Sequence, residues 1–86
     1  MWALRYEDSA ARAFRKLDKT NQRRIADYMR EVCALEQPEA RGKAMTANYA
    51  GYWRYRVGDY RLICRFFRGE LRISVVELGH RSTVYD

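Results

Sequence analysis

Histidine occurs once, proline once and cysteine twice in these 86 residues, and each scarcity removes a class of protein. Cys33 and Cys64 have neither the CxxC spacing of a metal site nor the density of a secreted disulfide scaffold, so both read as small buried apolar residues. A single His excludes a His-rich metal cluster, and the glycines form neither a phosphate-cradling loop nor a GxSxG elbow. Long hydrophobic runs are missing too. Stretches such as Leu62-Ile63-Cys64 and Val75-Val76 are far too short to span a bilayer, and the amino terminus lacks the apolar stretch of a signal peptide. A cytoplasmic protein is expected, with no membrane contact, no metal and no small-molecule cofactor. Acid is also short: eleven Asp and Glu face seventeen Lys and Arg, a net charge of +6. An excess of that size points to an anionic partner. Fourteen of the seventeen cations are Arg, the side chain whose planar fork matches phosphate and stacks on bases.

The length allows one small domain, taken as residues 1–86, since domains usually run to about 100–150 residues. Alternating large apolar groups from Trp2 to Tyr6 predict a short half-buried strand. Behind the N-cap residues Asp8 and Ser9, the spacing of Ala10, Ala13, Phe14 and Leu17 predicts an amphipathic helix. Asp18 to Asn21 turn and recap the chain. Ile25, Tyr28, Met29, Val32 and Leu35 then mark a second helical stripe, ended by Gln37-Pro38. Residues 39–51 show no period and read as a connection. From Tyr52 onward the side chains alternate, and Gly58-Asp59 and Arg68-Gly69 cut the segment into three strands. The expected architecture is a small single-domain α+β fold, β-α-α-β-β-β, with an N-terminal helical hairpin packed on one face of a mainly antiparallel sheet.

Net charge is +3 in residues 1–51 and +3 in residues 52–86, so bulk charge does not locate a site. Strand parity does. If both turns hold two residues, Val57 pairs with Tyr60 and Phe67 with Glu70, and every face is fixed. Trp53, Tyr55, Tyr60, Leu62, Cys64, Phe66, Leu71, Ile73 and Val75 share one side, which should pack on the helices. Arg54, Arg56, Arg61, Ile63, Arg65, Arg72, Ser74 and Val76 share the other. A charged outer face ordinarily serves solubility, but ordinary surfaces mix signs. Five arginines on one face with no acid among them repel one another and call for a polyanion.

The closing run Gly79-His80-Arg81-Ser82-Thr83-Val84-Tyr85 adds chemistry. Gly79 would let the chain leave the strand sharply, bringing His80, Arg81 and Tyr85 to the end of the Arg-lined face. A lone His is usually structural and a terminal Tyr usually packing. Their company raises the functional reading, because cleavage of RNA by its own 2′-hydroxyl needs a proton acceptor, a cationic clamp on the phosphate and a proton donor.

With Phe14-Arg15-Lys16-Leu17-Asp18-Lys19, Tyr55-Arg56-Val57-Gly58-Asp59-Tyr60-Arg61-Leu62 and that closing run, the chain resembles the RelE toxins of type II toxin–antitoxin systems, in the RelE/ParE superfamily. The resemblance spans almost the whole chain. It implies a RelE-like fold and a ribosome-dependent endoribonuclease that cuts mRNA in the ribosomal A site by metal-free attack of the 2′-hydroxyl. The implied partners are the ribosome, mRNA and a cognate RelB-like antitoxin with an acidic or amphipathic helix. Carried over by position, the phosphate-binding arginines are Arg61 and Arg81, a basic strand position is Arg54, and the stacking or proton-donating tyrosine is Tyr85. Arg56, Arg65, Arg72 and Lys43, the last in the connecting loop, are expected to contact RNA or ribosome.

His80 stands where relatives carry His or Lys. Tyr52 replaces a lysine that assists 2′-hydroxyl activation in relatives, which leaves His80, Tyr85 and Tyr52 as acceptors. His80 is preferred, because imidazole titrates nearest neutrality. Two other readings compete: a ParE-like inhibitor of DNA gyrase without nuclease activity, and a passive RNA-binding domain.

Overall fold

The chain opens in an edge strand because Trp2, Leu4 and Tyr6 alternate with residues that face solvent, and Trp2 is buried in the core. The computed structural model of the protein describes residues 1–84. Strand β1 (Ala3–Tyr6) leads into helices α1 (Asp8–Arg15) and α2 (Lys19–Ala34), and strands β2 (Lys43–Ala44), β3 (Trp53–Val57), β4 (Tyr60–Phe67) and β5 (Arg72–His80) complete the sheet. The strand order is β1-β5-β4-β3-β2. Among the described residues β1 and β5 run parallel, and the other neighbours are antiparallel.

Helix α1 starts one position ahead of the expected caps, with Glu7 as N-cap and Asp8 in the first turn, where a carboxylate complements the helix dipole. It ends after Arg15, and Gln22 Nε2 donates to the Phe14 carbonyl at 2.9 Å, tying α2 to the end of α1. The expected hairpin is thus present, and its apolar stripe (Ala10, Ile25, Met29, Val32, Cys33) packs with Tyr55, Leu62, Cys64, Ile73 and Val75 into the main core.

Three local readings need correction. The second turn is longer than two residues: a 3-10 turn at Arg68–Glu70 and a left-handed Leu71 (φ 48°) separate the strands, so Phe67 pairs with Arg72. A shift of two keeps parity, so the faces survive, but Leu71 is 52% exposed rather than in the core. Residues 39–51 are not a featureless connection, and Lys43 is not in a loop. Lys43 lies in β2, paired with Arg54, between 3-10 turns at Pro38–Ala40 and Ala47–Tyr49. The third concerns β5. Cys64 pairs with Val75 but Ile63 with Glu77, so Val76 is an extra residue in a β-bulge. Beyond it every side chain changes face relative to simple alternation: Leu78 enters the main core, and Glu77 turns to the side away from the helices.

Among the described residues, no helix is long and apolar enough to cross a membrane.

Candidate functional site

The helix-free face of the sheet gathers charge by register. Across β2, β3, β4 and β5 one row reads Lys43, Arg54, Ile63, Glu77; the next reads Arg56, Arg61, Gly79. Toward the other edge, Arg65 opposes Ser74, which is paired with Arg5, and Phe67 opposes Arg72. The five arginines of the parity argument do share this face. Two residues that it missed join them: Arg5, legible as the polar position between Leu4 and Tyr6, and Glu77, displaced by the bulge. The face therefore holds an acid after all. Aromatic rings interleave the cations. Arg65 lies 5.5 Å from the Tyr52 ring centre and 5.2 Å from that of Phe67, and Arg72 lies 4.2 Å from Phe67, distances at which guanidinium and ring attract. At the β3 edge, a depression of about 140 Å³ is lined by Arg41, Lys43, Arg54 and Arg56 with Tyr28 and Gly42.

A second, smaller apolar cluster sits on the same face. Met45, Ile63 and Val84 are its buried members, with Tyr49, Tyr52 and Val76 packed around them. Gly79 makes it possible. It lies inside β5 rather than at a sharp exit, and a Cβ built on it would stand 2.3 Å from Val84 Cγ2. The chain reverses beyond His80, whose carbonyl accepts from Thr83 N (2.9 Å), Val84 N (3.1 Å) and Thr83 Oγ1 (3.0 Å). That reversal lays Val84 over the glycine.

Arg61 and Arg81 meet at the Gly58-Asp59 turn, where Gly58 adopts φ 59°. Arg61 is 7% exposed, and its Nη1 donates to the Gly58 and Tyr60 carbonyls, both at 3.1 Å. Arg81 donates its backbone N–H to the Asp59 carbonyl at 2.7 Å and holds Nε 3.8 Å from the Asp59 carboxylate, with its side chain 64% exposed. His80 is not on the Arg-lined face. Its register partner is Tyr60, on the helix side, and the two rings meet edge-on at 5.8 Å. Its Nδ1 accepts the Ser82 N–H at 3.2 Å and lies 2.9 Å from Ser82 Oγ. An accepting Nδ1 puts the proton of neutral imidazole on Nε2. Tyr85 lies outside the described residues.

Glu77 is the acid that the sequence reading did not find. Tyr49 donates its phenol hydrogen to Glu77 Oε2 at 3.0 Å. That bond, reinforced by the carboxylate's charge, raises the Tyr49 phenol above its ordinary range. A signal for it exists in the sequence: Val75, Val76 and Leu78 break strict alternation, and unbroken parity would have aimed an unpartnered carboxylate at the apolar core.

The model of a family described as the ParE toxin of type II toxin-antitoxin systems matches residues 4–85. No curated protein sequence matches. Among solved structures, the RelBE2 toxin–antitoxin complex of Mycobacterium tuberculosis superposes with a TM-score of 0.83 at 22% identity, covering 94% of this chain and 92% of that one. The isolated RelE toxin of E. coli gives 0.77 at 20% identity, covering 93% and 84%. A YoeB/ParE toxin of Agrobacterium tumefaciens gives 0.76 at 20%, covering 91% and 96%. At such identities the likeness establishes a shared α+β fold.

Proposed function

The chain belongs to the ParE toxin family of type II toxin–antitoxin systems, within the RelE/ParE superfamily, and from that premise we propose that it is a ribosome-dependent endoribonuclease cutting mRNA in the ribosomal A site. The observation that carries this reading is the one-sided cationic face, with Arg54, Arg56, Arg61, Arg65, Arg72, Arg5 and Lys43 on it and Arg81 at its turn. Guanidinium forks clamp phosphate in two-point contacts, and the interleaved rings suit unpaired bases. In this reading Arg61 and Arg81 hold the scissile phosphate and stabilise the charge that it gains in the transition state. His80 offers its Nε2–H to a phosphate oxygen. Tyr85 stacks on a base or returns a proton to the leaving oxygen. Arg65, Arg72 and Lys43 guide the flanking RNA and the ribosomal surface. A RelB-type antitoxin with an acidic, amphipathic helix would cover the cations and block ribosome entry.

Mapping mRNA ends after expression tests this. Wild-type toxin should leave cuts at a fixed codon position, and Arg81→Ala and Tyr85→Ala should abolish them while still binding antitoxin. Retained cutting in both variants overturns the assignment. The family designation favours a second reading, inhibition of DNA gyrase. Loss of supercoiling in a gyrase assay, with mRNA intact in a parallel translation assay, would establish it and dismiss the nuclease.

A further inference from the structure

Resting on the nuclease reading, we propose that Glu77, held by Tyr49, is the general base that takes the 2′-hydroxyl proton of the RNA. Attack by a 2′-hydroxyl needs an acceptor beside the cations that grip the phosphate. Among the described residues four groups are in question. His80 has its accepting nitrogen on the Ser82 N–H and shares the Tyr60 side of the sheet. Tyr52 packs its ring into the Met45–Ile63–Val84 cluster and against Arg65. Asp59 sits in the turn, its carboxylate already engaged by Arg81. Glu77 is the carboxylate that the register sets within the strand rows of the cationic face.

Its placement is set by the backbone. The bulge at Val76 turns it outward, into the row that continues through Ile63 to Arg54 and Lys43. Two residues along β5, Gly79 opposes Arg61, and Val84 fills the place that a Gly79 side chain would take. Tyr49 reaches from the connecting segment to fix Oε2, so Oε1 is the oxygen offered to a ligand. A carboxylate so flanked could merely balance charge. The Tyr49 bond argues otherwise, because it holds one oxygen in a single orientation beside the row that runs through Ile63 to Arg54 and Lys43.

The step balances as follows. Oε1 of Glu77 takes the 2′-proton, and the 2′-oxygen lone pair forms the new bond to phosphorus. The bond from phosphorus to the 5′-oxygen breaks, and that oxygen leaves with the bonding pair and takes a proton from water. The products are a 2′,3′-cyclic phosphate and a 5′-hydroxyl, and the hydroxide so formed takes the proton from Glu77, which returns to its starting state.

Glu77→Gln keeps the shape and a partner for Tyr49 but cannot accept a proton. Single-turnover cleavage on mRNA-programmed ribosomes should slow by about 100-fold or more at neutral pH, and the fall of rate toward acid pH should vanish, with antitoxin and ribosome binding retained. Tyr49→Phe releases Oε2 and should slow single-turnover cleavage with ribosome affinity unchanged. A purely structural Tyr49 would lower the urea midpoint and leave that rate in place. His80→Ala should slow the reaction and keep the acid limb. A Glu77→Gln toxin that cuts within about threefold of wild type, or an acid limb lost in His80→Ala and kept in Glu77→Gln, overturns the assignment. Wild-type toxin that leaves ribosome-bound mRNA intact is a different failure: it removes the nuclease reading, and the base with it.

Discussion

Arg61 and Arg81 hang on the same turn and are held in opposite ways, which separates their contributions to stability from those to binding. Arg61 is buried and donates to two turn carbonyls. Truncation to Ala strands those acceptors, so Arg61→Ala should lose about 1–3 kcal/mol of stability along with its activity. Arg81 is exposed, and its contact with Asp59 is long; pairs of that kind contribute about 0–1 kcal/mol. Arg81→Ala should leave the urea midpoint within experimental scatter while abolishing cleavage. Equal midpoints for the two variants would contradict the structural share given to Arg61. Ser74 provides a contrasting case. It is fully buried on the cationic face, and its Oγ has no hydrogen-bond partner among the described residues. Ser74→Ala should therefore be neutral or stabilising by up to about 1 kcal/mol in the same denaturation assay, since it removes a desolvated hydroxyl.

Strand β5 shows how one small residue and one extra residue shape the cationic face. Because Val84 rests where a Gly79 side chain would be, Gly79→Ala must push the returning segment off the sheet. A cost of about 1–3 kcal/mol is expected from the overpacking, with weaker binding of anions as the Met45–Ile63–Val84 cluster opens. The double variant Gly79→Ala/Val84→Ala should recover much of that stability although Val84→Ala alone destabilises; additive losses would contradict a direct clash. The same element marks the limit of what the sequence discloses. The β3–β4 hairpin was legible because Gly58 supplies the positive φ that its two-residue turn requires, and parity then put five arginines on one face. Leu71 was misread because the 3-10 turn before it forms through a local bond, Leu71 N–H to the Arg68 carbonyl, in a stretch that also reads as a tight hairpin. Residues 39–51 have no period because they are fixed by distant partners: Tyr55 Oη on the Pro38 carbonyl, Trp53 Nε1 on the Glu39 carbonyl, Met45 N on the Tyr52 carbonyl. Glu77 escaped for a related reason. Counting from a turn carries no record of a bulge eight residues later, so the acid on the face was hidden while its arginines were plain.

At the scale of the whole molecule, the two faces of the sheet respond to pH through different groups. The helix side encloses four weak acids. Burial pushes the Tyr6 phenol up to about 12, raises the Tyr55 phenol further, and raises the thiols of Cys64 and Cys33. Ionising any of them would put an anion into an apolar core. Each group holds its proton in the folded state to a higher pH than in the unfolded chain, where thiols titrate near about 8.5 and phenols near about 10. Their contribution to stability is therefore complete below the unfolded values and is lost as pH climbs through the folded ones, at about 1.4 kcal/mol per pH unit for each proton retained. The urea midpoint should be level from about pH 6 to 8.5, fall above about 9 as the thiols respond, and fall more steeply beyond about 10 as the tyrosines join. Cys64→Ala should flatten the first part of that decline and Tyr6→Phe the second. Tyr6→Phe should cost little at neutral pH, because its hydroxyl has no hydrogen-bond partner among the described residues, whereas the Tyr55 hydroxyl donates to the Pro38 carbonyl at 2.8 Å. The other face adds to this decline chiefly through the Tyr49 phenol, raised by its bond to Glu77. Its cations are almost all arginine, and guanidinium ions keep their charge throughout that range. A midpoint that stays level to pH 11, or one that falls equally in wild type and in both variants, would place the alkaline response outside the core.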